Sequence, residues 1–275
     1  MIYETETKNS IEIHDRPGTY WSDEQKITYR TDLRALGSEC LSPLPEYQCF
    51  SNAGDAFDDK LLLIIRDHKS RMIAFASALF LDVPGIGLVL HTGLTCVAPT
   101  ERQTGLTMVL FYKAVSYMMD RYPKGFWITN LAEVTSSLVN IGRFANQVYP
   151  SPYTSQPSAT HLAIAANISA NQRAKMMISN DACFDAGCFV FRASNSYGSP
   201  FRKDIEDSMF HHRDENETNF YKALFRRNCG DEVLQVGYLN PELITVGPRS
   251  ERFRRFQTMS MVRSHCLSPS PYCIG

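Results

Sequence analysis

The sequence has no apolar run near the roughly 20 residues that a bilayer-spanning helix requires. Stretches such as Leu61 to Ile65 are far too short, so neither a transmembrane helix nor a membrane partner is expected. An excess of one charge is also missing, with 28 Lys and Arg against 29 Asp and Glu and a formal net charge of -1. That balance supplies no global field toward nucleic acid, so no nucleic-acid partner is expected and any anion site has to be local. None of the eight cysteines forms a Cys-x-x-Cys pair, the spacing of structural zinc sites, and no metal is expected. Residues Met1 to Ser10 are charged and lack the apolar stretch of a secretory signal, which makes a cytoplasmic chain with its cysteines as thiols the expectation. No internal repeat is visible. What is present is ordinary globular material: 275 residues, 44% hydrophobic and 21% charged, enough to bury a sizeable core.

Along the chain, Ser22 followed by Asp23, Glu24 and Gln25 reads as a helix start, with Tyr29, Leu33 and Leu36 on one face and Gly37 as the stop. Leu61 to Arg66, Met72 to Val83 and Ile86 to Val97 read as three antiparallel strands joined by short turns. Thr104 to Met119 carries apolar residues at helical spacing, Phe126 to Leu131 is a strand, and Glu133 to Gln147 is a helix closed by prolines. Further on, the pattern predicts a strand over Leu162 to Ile168, a helix over Asn171 to Ile178, a strand over Cys188 to Arg192, a helix over Thr218 to Arg227 and a strand over Val233 to Leu239. Residues 193–214 read as an inserted loop, and Arg249, Arg252, Arg254 and Arg255 form a short basic cluster in the tail.

The informative stretch runs from His91 to Thr107, where a strand passes through a Pro-containing turn straight into a helix. The first N–H groups of a helix are unpaired and its dipole is positive there, so a glycine at that point lets a pyrophosphate approach the backbone. Arg102 adds positive charge. The pattern is neither a Walker loop, which needs Gly-Lys-Ser or Gly-Lys-Thr, nor a three-glycine dinucleotide fingerprint.

Val97-Ala-Pro99 followed by Arg102-Gln-Thr-Gly105-Leu-Thr107 resembles the hallmark of the GNAT acyltransferase superfamily, Val-x-Pro and then Gln or Arg-x-x-Gly-x-Gly or Ala. The resemblance covers residues 20–150; it departs from the pattern at Thr107, where the family prefers Gly or Ala. It implies that Arg102, Gln103, Thr104, Gly105, Leu106 and Thr107 cradle the pyrophosphate of acetyl-CoA or another acyl-CoA, and that Cys96 and Val97 pair with the pantetheine arm where two strands splay apart. A backbone N–H near them would polarise the thioester carbonyl. Asn140, with Glu133, Ser136 and Ser137, would touch cofactor or substrate, or else form a solvated helix face.

His91 lies 14 residues before Gly105, the offset at which several members of that family place a Glu or His general base. The two-residue strand period puts it on the face of Val97 and opposite Cys96. Imidazole titrates where an alkylammonium must be deprotonated, although a strand histidine satisfied by its neighbours fits the same position. For a general acid the family's helix tyrosine is missing from Ser136 to Ile141, which leaves Tyr149 as the candidate, with a structural role as the alternative. His211-His212 lack further ligands and read as loop.

These readings combine into an α/β fold with a mixed, largely antiparallel central sheet flanked by helices: one GNAT-like domain over residues 1–240 and a tail over 241–275. The implied function is acetyl transfer from acetyl-CoA to an amine of a small molecule by direct attack in a ternary complex. The alternatives are a non-catalytic acyl-CoA-binding module and a GNAT-fold enzyme turned to another reaction.

Overall fold

The computed structural model of the protein describes residues 2–4, 9–142 and 144–240. The tail and its arginine cluster lie outside the described residues. The chain opens with β1 (Ile2–Glu4) and β2 (Ser10–Asp15), two strands that the sequence pattern did not reveal. Helix α1 (Asp23–Cys40) starts as expected: the Ser22 hydroxyl accepts from the Gln25 amide while the Gln25 side chain accepts from the Ser22 amide. It runs through Gly37, because that glycine is where the Phe50 ring packs; a Cβ there would lie 2.5 Å from the ring.

The antiparallel meander follows as β3 (Lys60–Arg66), β4 (Met72–Val83) and β5 (Gly87–Val97). Next come α2 (Leu106–Arg121), β6 (Phe126–Ala132), α3 (Thr135–Gly142) and β7 (Asn146–Tyr149). The helix expected over Glu133 to Gln147 therefore stops early, since Asn146–Tyr149 gain a ladder with the last strand that outweighs local helical preference. Then come α4 (Ala159–Asn171), β8 (Cys183–Asp185), β9 (Val190–Arg192), α5 (Glu215–Leu224) and β10 (Glu232–Leu239). The strand expected over Leu162 to Ile168 is helical; Ile164, Ala165 and Ile168 are its buried face, a 3.6-residue spacing in a short apolar run. The helix expected over Asn171 to Ile178 is a single turn at Ala174–Met176.

The sheet has the order β1-β2-β3-β4-β5-β6-β10-β9-β8, with β7 also pairing β10. Among the described strands only β5 and β6 run parallel; every other pairing is antiparallel. The architecture is thus the mixed, largely antiparallel α/β sheet that the sequence indicates. Helix α2 covers one face, where Leu110, Val115 and Met118 bury against Leu61, Leu63, Phe80, Leu90 and Ile128. On the opposite face α1 packs over β3 to β5 through Leu33 and Leu36, and α4 packs over β10 and its neighbours through Ile164 and Ile168. Helix α5 packs with α3 through Tyr221, Phe225 and Leu138. No helix among the described residues is long and apolar enough to cross a membrane.

Candidate active site

Strand β5 carries the chain into the site. It lies parallel to β6 with Val89 opposite Trp127 and Thr92 opposite Asn130, and the pairing ends there although β5 continues to Val97 and β6 to Ala132. The two strands part beyond Thr92. On its other edge β5 bulges: Ala76 pairs with Thr95 and Ala78 with Thr92, so Gly93 and Leu94 stand against the single residue Ser77. Gly93 is required by close approach, because a Cβ would lie 2.0 Å from Nε2 of Gln48. The Gln48 carboxamide is fixed in place, donating to the Tyr47 hydroxyl (3.1 Å) and accepting from the Ser77 hydroxyl (2.7 Å).

A bulge inverts the alternation of side chains beyond it. This corrects the expectation that His91 shares a face with Val97. His91 pairs with Leu79 on the α1 and α4 side, whereas Val97 pairs with Ala74 on the α2 side. Cys96 then falls on the side of His91, packed with Phe75 and Leu94. His91 is 1% exposed, its Nδ1 lies 3.0 Å from the Thr129 hydroxyl, and burial pushes its pKa down to about 3. His91 is not among the residues that line the cavity where β5 and β6 part, and an enclosed, neutral imidazole does not suit a base that must meet an acceptor amine.

Tyr149 is likewise away from the site. It is 7% exposed, its ring meets Phe189 edge-on at 4.8 Å, and its hydroxyl donates to the Gly187 carbonyl at 2.6 Å. Burial raises its pKa. The hydroxyl is held in a structural bond, which corrects its expected role as general acid.

After Val97 the chain forms a 3-10 turn over Pro99–Glu101 and then the expected loop. Gln103 (φ 67°) and Gly105 (φ 88°) both adopt the left-handed region, so the chain turns tightly into the helix. Helix α2 begins at Leu106 without a side-chain cap, so its first amides remain open to an anion. Arg102, Gln103, Thr104 and Thr107 are exposed. The Thr104 hydroxyl donates to the Glu101 carbonyl (2.6 Å) and Leu106 packs on the core. Behind the loop, Cys40 donates to the Val97 carbonyl (3.4 Å), and its pKa is held down to about 7 by the Cys96 thiol and by Arg102.

A cavity of about 410 Å³ opens where β5 and β6 part. It is lined by Thr92, Gly93, Leu94 and Thr95, the residues of the bulge and its flanks, rather than by Cys96 and Val97. On the α2 side it reaches Thr107 and Met108 at the loop, and Ser137 and Asn140 of α3. Asn130, between them, accepts from the Thr92 hydroxyl (3.2 Å) and donates to the Ser137 carbonyl (3.3 Å). On the opposite side the cavity meets Tyr47, Glu133, Asn195, Phe201 and Glu232. Lining residues come from both faces of the sheet, so the cavity crosses it.

Two carboxyl groups dominate that far side. Glu133, 5% exposed, accepts from the Lys203 amide and from Nδ2 of Asn195 (3.4 Å); burial pushes its pKa up to about 7, with Glu232 adding to the rise. Glu232, 6% exposed, accepts from the Ser194 hydroxyl and from Asn195, and burial carries it to about 7 as well. Of these, only Glu133 stands out in the sequence, beside Ser136 and Asn140. Glu232 and Asn195 arrive from the second half of the chain with no local spacing to mark them. Phe201, edge-on to Tyr47 at 5.6 Å, brings the inserted loop over this chamber. His211 and His212 lie elsewhere, His211 bonded to the Ile205 carbonyl (2.9 Å) and His212 accepting from the Asp214 amide (3.1 Å).

No family model matches the chain, and no curated protein matches it. Solved structures similar to it include Tetrahymena GCN5, at 14% identity over 52% of this chain and 82% of that one, with a TM-score of 0.37. The ribosomal-protein-S18-alanine N-acetyltransferase from Escherichia coli is similar at 14% identity over 55% of this chain and 86% of that one, TM-score 0.33. A GNAT family N-acetyltransferase from Escherichia coli in complex with CoA is similar at 17% identity over 49% and 67%, TM-score 0.28. These likenesses extend over about half of the chain, and what each of these proteins acts on is a property of that protein.

Proposed function

We propose that this chain is an acyl-CoA-dependent N-acyltransferase that joins donor and acceptor across its sheet. The observation that carries the reading is the cavity at the parting of β5 and β6, which connects the uncapped start of α2 with a chamber holding two raised carboxyl groups. The resemblance of Val97-Ala-Pro99 and Arg102 to Thr107 to the GNAT hallmark supports the same assignment. The pyrophosphate sits on the amides around Gly105, and the pantetheine arm lies in the gap beside Thr92 to Thr95. The acceptor, an amine of a small molecule, enters the chamber of Glu133.

In this arrangement Glu133 takes over the role expected of His91. An alkylammonium must lose a proton before it attacks, and a carboxyl group with a pKa near 7 accepts one at neutral pH. The nitrogen then adds to the thioester carbonyl, whose oxygen is met by the amide that the bulge leaves out of the ladder. The C–S bond breaks as the amide forms, and CoA leaves as a thiolate that takes up the released proton. No tyrosine is needed for that step.

CoA should raise the unfolding temperature of the wild type and leave Gly105→Glu unshifted, since a ligand that binds only the folded chain stabilises it by mass action. A wild type that fails to shift would remove the cofactor site. With acyl-CoA and a panel of amines, Glu133→Gln should lower the rate of thiol release by about 10²–10⁴-fold, as expected for loss of a general base. It should also abolish the activity rise through pH 7 while keeping the CoA-induced shift.

A further inference from the structure

The acyltransferase reading leaves open how long the transferred group is, and the α2 side of the cavity bears on that. From the parting of β5 and β6, where the thioester would lie, the cavity extends sideways beneath α2 along one cross-strand row: Thr95 on β5, Ala76 on β4 and Leu63 on β3. Two strand spacings amount to about 10 Å. The roof of this leg is formed by Phe111, Ala114 and Val115 of α2. Apart from Thr95 the residues of this row and its roof are apolar, and Leu63 at its end is fully buried.

Three alanines create the space. Ala76, Ala78 and Ala114 face one another across the sheet-helix interface where the surrounding positions are Leu61, Leu63, Phe80 and Leu90. Close-packed interiors leave few voids of this kind. A pantetheine arm carries amides that this leg cannot satisfy, and an acceptor amine belongs with the carboxyl groups on the other face. The group that fits is a hydrocarbon chain attached at the parting of the strands.

We propose that this apolar leg is an acyl-chain site and that the preferred donor is a medium-chain acyl-CoA rather than acetyl-CoA. A leg of about 10 Å takes an extended chain of roughly six to eight carbons. Ala114 and Ala76 set that length by staying small.

The test is direct binding of CoA, acetyl-CoA, hexanoyl-CoA and octanoyl-CoA to the full chain, measured by calorimetry, so no acceptor has to be known. Each buried methylene is worth about fourfold in affinity. Octanoyl-CoA should therefore bind at least tenfold more tightly than acetyl-CoA, whereas CoA and acetyl-CoA should be alike. Ala114→Leu should remove the octanoyl advantage and keep the affinity for acetyl-CoA, and Ala76→Val provides a milder second variant should the first unfold. Equal affinity for acetyl- and octanoyl-CoA in the wild type overturns the acyl site, as does a folded Ala114→Leu that keeps the full advantage. Failure of all four to bind overturns the acyltransferase reading instead.

Discussion

His91 shows what enclosure does to a single ionisable group. Its folded pKa, about 3, lies below the ordinary value of 6.5, so below pH 6.5 the unfolded chain binds a proton that the folded chain refuses. The neutral imidazole is therefore free of penalty above pH 6.5, and stability is lost progressively as pH falls from 6.5 toward 3. Replacing it by Gln should reduce the slope of stability against pH in that window by at most about 1.4 kcal/mol per pH unit. Urea titrations of the two proteins between pH 4 and 8 measure the difference directly, and an unchanged slope would contradict the buried neutral state. Sequence offset singled out this residue, yet offset along a strand says nothing about enclosure. Glu133, with a carboxyl group in the cavity, is the residue whose surroundings suit proton transfer.

Element scale is where the reading of β5 turned. Strict alternation over residues 91–97 holds only for a regular ladder, and the extra residue at Gly93 and Leu94 reverses it. The glycine was visible in the sequence, but its partner Gln48 comes from a loop 45 residues earlier, so nothing local marked the bulge. Gly93→Ala should displace the Gln48 carboxamide and strip Ser77 and Tyr47 of their bonds, costing about 1–3 kcal/mol. Denaturant unfolding measures that cost, and weakened acyl-CoA binding should accompany it because the same bulge lines the cavity. The turn that leads into α2, by contrast, was legible because its constraints are written in the backbone of one short stretch: Pro99, Gly105 and the helix that follows. The stretch Leu162 to Ile168 within α4, five apolar residues followed by Asn167 and Ile168, fits either period, and only its neighbours decide.

At the scale of the whole molecule, the first half of the sheet and its helices were legible from periodicity, whereas residues 150–231 were read only in part. Their structure depends on contacts made at a distance. Asp231, fully buried, draws the guanidinium groups of Arg192 (3.0 Å) and Arg226 (2.8 Å) and the Ala193 amide (2.9 Å) to the start of β10. Burial opposes its ionisation, but these bonds prevail and hold its pKa well below the usual carboxylate range. Its contribution is thus present at neutral pH and fades only in strong acid. Asp231→Asn leaves two arginines facing an uncharged group and should cost about 3 kcal/mol, measured by denaturant midpoint at pH 7. A loss below 0.5 kcal/mol would mean that this end of the sheet is held by packing alone.

Between β7 and β10, which are neighbours with Tyr149 opposite Val236, the chain runs through α4, β8, β9 and α5. Residues 150–231 are thus an excursion whose two ends meet, although α4, β8 and β9 within it pack on the common sheet. It supplies Asn195, Phe201 and Lys203 to the cavity, and Glu232 follows immediately on its return, whereas the loop around Gly105 belongs to the framework. On the acyltransferase reading, exchange of residues 150–231 would alter the acceptor chamber and leave the loop around Gly105 in place.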